Sequence, residues 1–171
     1  MATDDIQGAP NVALRHVAAT LAYRAGKVLR DAPAGFAGFA AGEHTRRPVQ
    51  IVAHLADLMA WGVTLAQGDH VWKAEGGEDW DVEVRRFFGG LAALDAALTS
   101  ELPAGAAEKL IQGPLADALT HVGQLAMLRG MAAAPVRPES YARAEIVPGR
   151  VGLEQAAPKR EFDGDASARP R

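Results

Sequence analysis

Three side chains in this sequence, His54, Asp117 and His121, could together hold a divalent cation. Asp117 and His121 are four residues apart, so on a helix they stack on one face, where such a pair can grip a single ion. His54 interrupts an otherwise apolar helical stripe of Ile51, Leu58, Trp61 and Leu65. If the two helices face each other, two imidazoles and a carboxylate converge, which is how helical bundles build metal sites. Three protein ligands leave coordination positions open, the arrangement of a catalytic centre. An ion there acidifies a bound water or takes a thiolate directly. The same residues have a plainer reading: His54 as a satisfied core histidine, and Asp117 pairing with His121 or capping the helix start near Pro114.

Two neighbours are candidates for catalysis or support. Gln124, one turn past His121, could bond a bound ligand, hold the His121 ring, or simply pack between helices. Asp57, three residues after His54, could orient an imidazole, act as a general base for a metal-bound water, or lie exposed. His16, His44 and His70 read as surface or loop residues, and Trp61 as part of the core rather than a stacking platform. Arg129 reads as an ion-pair partner near a helix end more than as a contact for an anionic substrate.

The elements that must position these groups are helices. Residues 10–30 carry Leu14, Val17, Leu21, Ala25 and Val28 at helical spacing, and Asp31 to Pro33 stop the helix. Residues 32–47, with three glycines and two phenylalanines, read as a loop that packs Phe36 and Phe39 on the domain. A second helix runs from Pro48 to near Gly68, followed by a connector over 68–77. A third begins between Glu78 and Trp80, with acids at its positive end and Val84, Phe87, Phe88, Leu91, Leu94 and Leu98 as its core face. Gly89 and Gly90 weaken it, by about 1 kcal/mol each relative to alanine, and mark a close crossing or a kink. After a short apolar turn over 106–111, residues 113–131 form a fourth helix, apolar around most of its circumference and opening at Pro114, where a missing N–H costs nothing. Beyond Met131 the periodicity fades. A single helical turn is expected over 141–146, then an irregular tail that partly wraps the helices and frays past Phe162.

The fold class is therefore all-α, a four-helix bundle with an irregular C-terminal tail. Its 171 residues fit one domain, and an apolar fraction of 49% is enough for a core. No cysteine is present, which excludes disulfides, thiolate-bound zinc and a cysteine nucleophile. A net charge of −3 with acids and bases mixed speaks against a nucleic-acid surface. No uninterrupted apolar run suits a bilayer span, and the acidic, polar start MATDDIQGAP is unlike a signal peptide. A cytoplasmic protein acting on a small molecule, without nucleic-acid or membrane partners, is the expectation.

Two separated motifs carry a resemblance. IVAHLADLMAW in the second helix and ADALTHVGQLAMLRGMAAAPV in the fourth resemble the DinB/YfiT-like group of bacterial proteins, as do LAYRAGKVL and TRRPVQI. The likeness covers about residues 10–135. In that group one histidine of the second helix and two histidines four apart on a later helix bind a divalent metal. His54 matches the first and His121, in HVGQ, the last. The remaining position is Asp117, a departure that favours harder ions than an all-imidazole site would.

The resemblance implies a DinB-like bundle over 1–135, a C-terminal extension over 136–171, and a homodimer. It implies a metal-dependent enzyme, such as a thiol-dependent S-transferase or isomerase. Zinc, nickel, manganese or iron would be held by His54, Asp117 and His121, and a low-molecular-weight thiol would be the second cofactor. The rival readings are a metal-water hydrolase at the same site and a non-catalytic dimeric scaffold that has lost its metal through Asp117.

Overall fold

The first helix takes its shape from a stripe of small and branched apolar residues. In α1 (Val12–Leu29), Leu14, Ala18, Leu21, Ala25 and Val28 are all buried. The structure, a computed structural model, describes residues 11–162, so the N-terminal arm and the expected fraying past Phe162 lie outside the described residues. Asn11 precedes α1 but does not cap it. Its amide instead donates to the carbonyls of Leu98 and Ser100, closing the far end of α3.

Three further long helices follow: α2 (Pro48–Ala66), α3 (Trp80–Ala97) and α5 (Ala116–Met131), with the short α4 (Ala106–Leu110) leading into α5. α2 starts with Pro48, and the Gln50 side-chain oxygen accepts the Arg47 N–H at 2.9 Å. α3 starts with Asp79 accepting the Val82 N–H at 3.0 Å. The architecture is all-α. Among the described residues no strand forms, only an isolated antiparallel bridge between Glu139 and Glu161.

α2 is the central helix. By length and composition it could cross a bilayer, contrary to the expectation that no stretch would, yet most of its surface is buried by its neighbours. It packs most extensively on α3. The glycine pair of α3 explains how they come so close. A Cβ on Gly90 would lie 2.8 Å from the Met59 Cβ, whereas a Cβ on Gly89 would meet nothing within 4 Å. The two therefore separate on substitution. Gly90→Ala forces the helices apart and costs about 1–3 kcal/mol. Gly89→Ala adds helix propensity and gains up to about 1 kcal/mol. Urea unfolding of both variants measures this, and equal shifts would remove Gly90 as a crossing point.

The last long helix does not start from a loop. α4 continues into a wide turn over Ile111–Leu115, where Gly113 leaves helical geometry (φ −95°, ψ −106°) and Pro114 follows it. The Trp61 ring lies against Gly113, so close that a Cβ there would stand 2.9 Å from it. Nor is α5 apolar all round. Leu125, Leu128 and Val122 are buried, but Thr120, Gly123, Met127 and Gly130 form an open face.

Past Met131 the chain is pinned to α1. The fully buried Glu139 carboxylate accepts from the Tyr23 hydroxyl at 2.8 Å and from Lys27 Nζ at 2.7 Å, and Lys27 also reaches Glu161 at 2.7 Å. Burial opposes the Lys27 charge, but its bonds to the two carboxylates outweigh that and hold its pKa above the ordinary value. The turn expected over 141–146 is a single 3₁₀ turn, Tyr141–Arg143.

Candidate metal centre

α2 and α5 turn His54, Asp117 and His121 toward one point. Their nearest ligand atoms all lie within 4.8 Å of one another. Asp117 sits between the rings: Oδ2 is 3.3 Å from His54 Nε2, and Oδ1 is 3.4 Å from His121 Nε2. The imidazoles stand nearly perpendicular, with centroids 4.8 Å apart. Of the two Asp117 separations, the first is a long hydrogen bond and the second is longer still, at or beyond the usual range of about 2.7–3.2 Å. A coordination tetrahedron has edges of about 3.3–3.4 Å for ligand bonds of about 2.0–2.1 Å, so the group, spread over 4.8 Å, would draw together to share an ion.

Gln124 explains the ring state. Its side-chain oxygen lies 2.7 Å from His121 Nδ1. With the proton on Nδ1 the neutral ring keeps its Nε2 lone pair on the Asp117 side, where a metal ligand atom is needed. Of the alternatives open to Gln124 in the sequence, the structure thus favours holding the His121 ring, with the amide still on the cleft wall. Gln124→Leu removes this support and lowers metal affinity by about 10–100-fold, read by competition against a chromophoric chelator. Unchanged affinity would make the contact mere packing.

His54 is half-buried. Burial, most of all, then His121 and Arg46, lower its pKa below the ordinary value, against the opposing pull of its bond to Asp117. The ring is therefore neutral at pH 7, as a ligand must be. Asp117 is the open member of the group, with 45% of its side chain exposed against 11% for His121.

The group borders a cleft of about 640 Å³, the size of a small-molecule site. Ile51, Met127, Leu128 and Met131 form an apolar wall, and His44 and Arg46 stand at the rim. His44 is exposed in its loop as expected, but the loop folds over the cleft, a role periodicity could not indicate. Beside His54 the Trp72 ring packs edge-on at 5.7 Å, and Trp61 contacts both Trp72 and His70. Trp61 is thus half-buried in an aromatic cluster rather than in the core interior.

Asp57 does not join the group. It is buried and bound to Arg86 at 2.6 Å, and it also accepts the Glu75 N–H. Arg86 bonds Glu83 and the Ala53 carbonyl as well. Asp57 is therefore a structural anchor for the 68–77 connector, outside the His54, Asp117 and His121 group. Arg129 is also corrected. Its buried guanidinium bonds the carbonyls of Val28, Arg30 and Ala134, tying the end of α1 to the chain past α5, and among the described residues a carboxylate, Asp31, acts on it through charge without a hydrogen bond.

Compared with protein-family models, curated proteins and solved structures, the chain matches none. Fold and site alone define its class: an all-α protein whose His54, Asp117 and His121 form a group that could hold a metal ion.

Proposed function

We propose that this protein is a divalent-metal-dependent enzyme of the DinB/YfiT-like type, acting on a small molecule in the cleft beside His54, Asp117 and His121. The observation that carries this reading is the convergence of two imidazoles and a carboxylate from α2 and α5, their nearest ligand atoms within 4.8 Å of one another. An ion held there, zinc, nickel, manganese or iron, would acidify a thiol or water in the cleft. The chain's own residues supply the rest. Gln124 fixes the His121 ring and its proton. Ile51, Met127, Leu128 and Met131 give the cleft an apolar side, and Asp117 stays accessible to solvent.

Among the reactions at such a site, thiol transfer or isomerisation with a low-molecular-weight thiol is favoured over hydrolysis. Hydrolysis needs a general base, and the one candidate, Asp57, is committed to Arg86. With the DinB-like reading go a homodimer and a cytoplasmic location. The test is turnover by metal-loaded protein carrying no histidine tag. Conjugation of a small thiol to an electrophile, lost in His54→Ala, supports the proposal. Ester hydrolysis without thiol chemistry overturns it in favour of the hydrolase.

A further inference from the structure

The charge of the cleft identifies what it would accept. Its described lining holds one carboxylate, Asp117, and one permanent cation, Arg46. With a divalent ion in place the cleft carries two charges from the ion and one from Arg46, less one from Asp117. That leaves about +2 at a solvent-accessible cleft, a field that draws anionic ligands.

Arg46 is the unusual member. Its neighbour Arg47 pairs with Glu78 at 2.9 Å, and Arg86 and Arg129 are fully engaged. No described carboxylate pairs with Arg46. Its backbone is nevertheless fixed, because the next residue is held by Gln50 and by Glu78 at the start of α2. Arg46 and His54 line the same cleft.

We infer that the cleft is selective for a small organic acid that carries a metal-binding anionic head and a carboxylate, the head placed at His54, Asp117 and His121 and the carboxylate received by Arg46. The body of such a ligand lies along Ile51, Met127, Leu128 and Met131. A guanidinium fork suits a carboxylate, and the two negative charges of the ligand cancel the surplus of the cleft. This rests on the metal-dependent reading above and adds the substrate class.

The test uses the full chain loaded with cobalt and two probes that differ only at one end, 6-mercaptohexanoate and 6-mercapto-1-hexanol. Their thiolate-to-cobalt absorption reports binding directly, without turnover. The acid is expected to bind at least tenfold more tightly than the alcohol. In Arg46→Gln that preference falls to within about twofold, while cobalt uptake and alcohol binding are unchanged. Equal binding of the two probes to the unmodified protein, or a preference that survives Arg46→Gln, overturns the inference and leaves the metal reading standing. Absence of the cobalt spectrum overturns the metal reading and this inference with it.

Discussion

Zinc, nickel or manganese at a hundredfold excess over its dissociation constant raises the melting temperature of the unmodified protein by about 5–10 °C, and His121→Ala abolishes the shift. The magnitude follows from linkage. An ion bound by the folded chain alone stabilises it by about 2.7 kcal/mol at that excess, and a chain of this size gains about 2–4 °C per kcal/mol. His121 is the ligand most withdrawn from solvent and the one whose ring is locked by Gln124. Its loss leaves one imidazole and a half-exposed carboxylate, too few ligands to hold an ion. His54→Ala behaves the same way, and elemental analysis of untagged protein gives the stoichiometry. Asp117→His keeps the shift and moves the preference from manganese toward zinc and nickel, because imidazole is the softer ligand. If the unmodified protein shows no shift with any of the three ions, the centre does not exist.

Arg86→Met destabilises the protein by about 3–5 kcal/mol, a large part of the about 5–15 kcal/mol that holds a domain of this kind together. The reason is what remains behind. Asp57 and Glu83 are 5% and 2% exposed, and Arg86 is their shared counterion. Without it two buried carboxylates face each other with no compensating charge. Adding Asp57→Asn and Glu83→Gln to the variant recovers most of the loss, since the uncompensated charge goes with them. Chemical denaturation of the two variants distinguishes this from simple loss of packing, in which case the added substitutions would bring no recovery. The connector is held by the same carboxylates, through the Glu75 and Gly77 amides, so limited proteolysis of the Arg86 variant cuts first within 68–77.

The long helices were legible because their burial repeats at 3.6 residues. The stripes through Leu14, Leu21 and Val28, and through Phe87, Leu91 and Leu94, are buried as their spacing requires. The same periodicity brought His54 to Asp117 and His121, since all three lie on faces that the helices turn toward each other. It failed where angle matters more than spacing. Asp57, three residues past His54, is rotated about a sixth of a turn around α2, enough to hand it to Arg86. The open face of α5 escaped because Gly123 and Gly130 carry no side chain to signal exposure. Arg129 escaped because its partners are backbone carbonyls, which no residue type announces. Arg46 and His44 belong to a loop with no period at all, so only the folded chain could bring them to the cleft.

Trp72 lies 5.7 Å from His54 and 5.8 Å from Trp61, while the third tryptophan, Trp80, packs on Phe36. One indole thus packs directly on His54, and a second, Trp61, packs on the first. A copper or nickel ion arriving at that imidazole would quench their emission, with Trp80 as an internal reference. Occupancy can therefore be followed by intrinsic fluorescence, in real time and without a label.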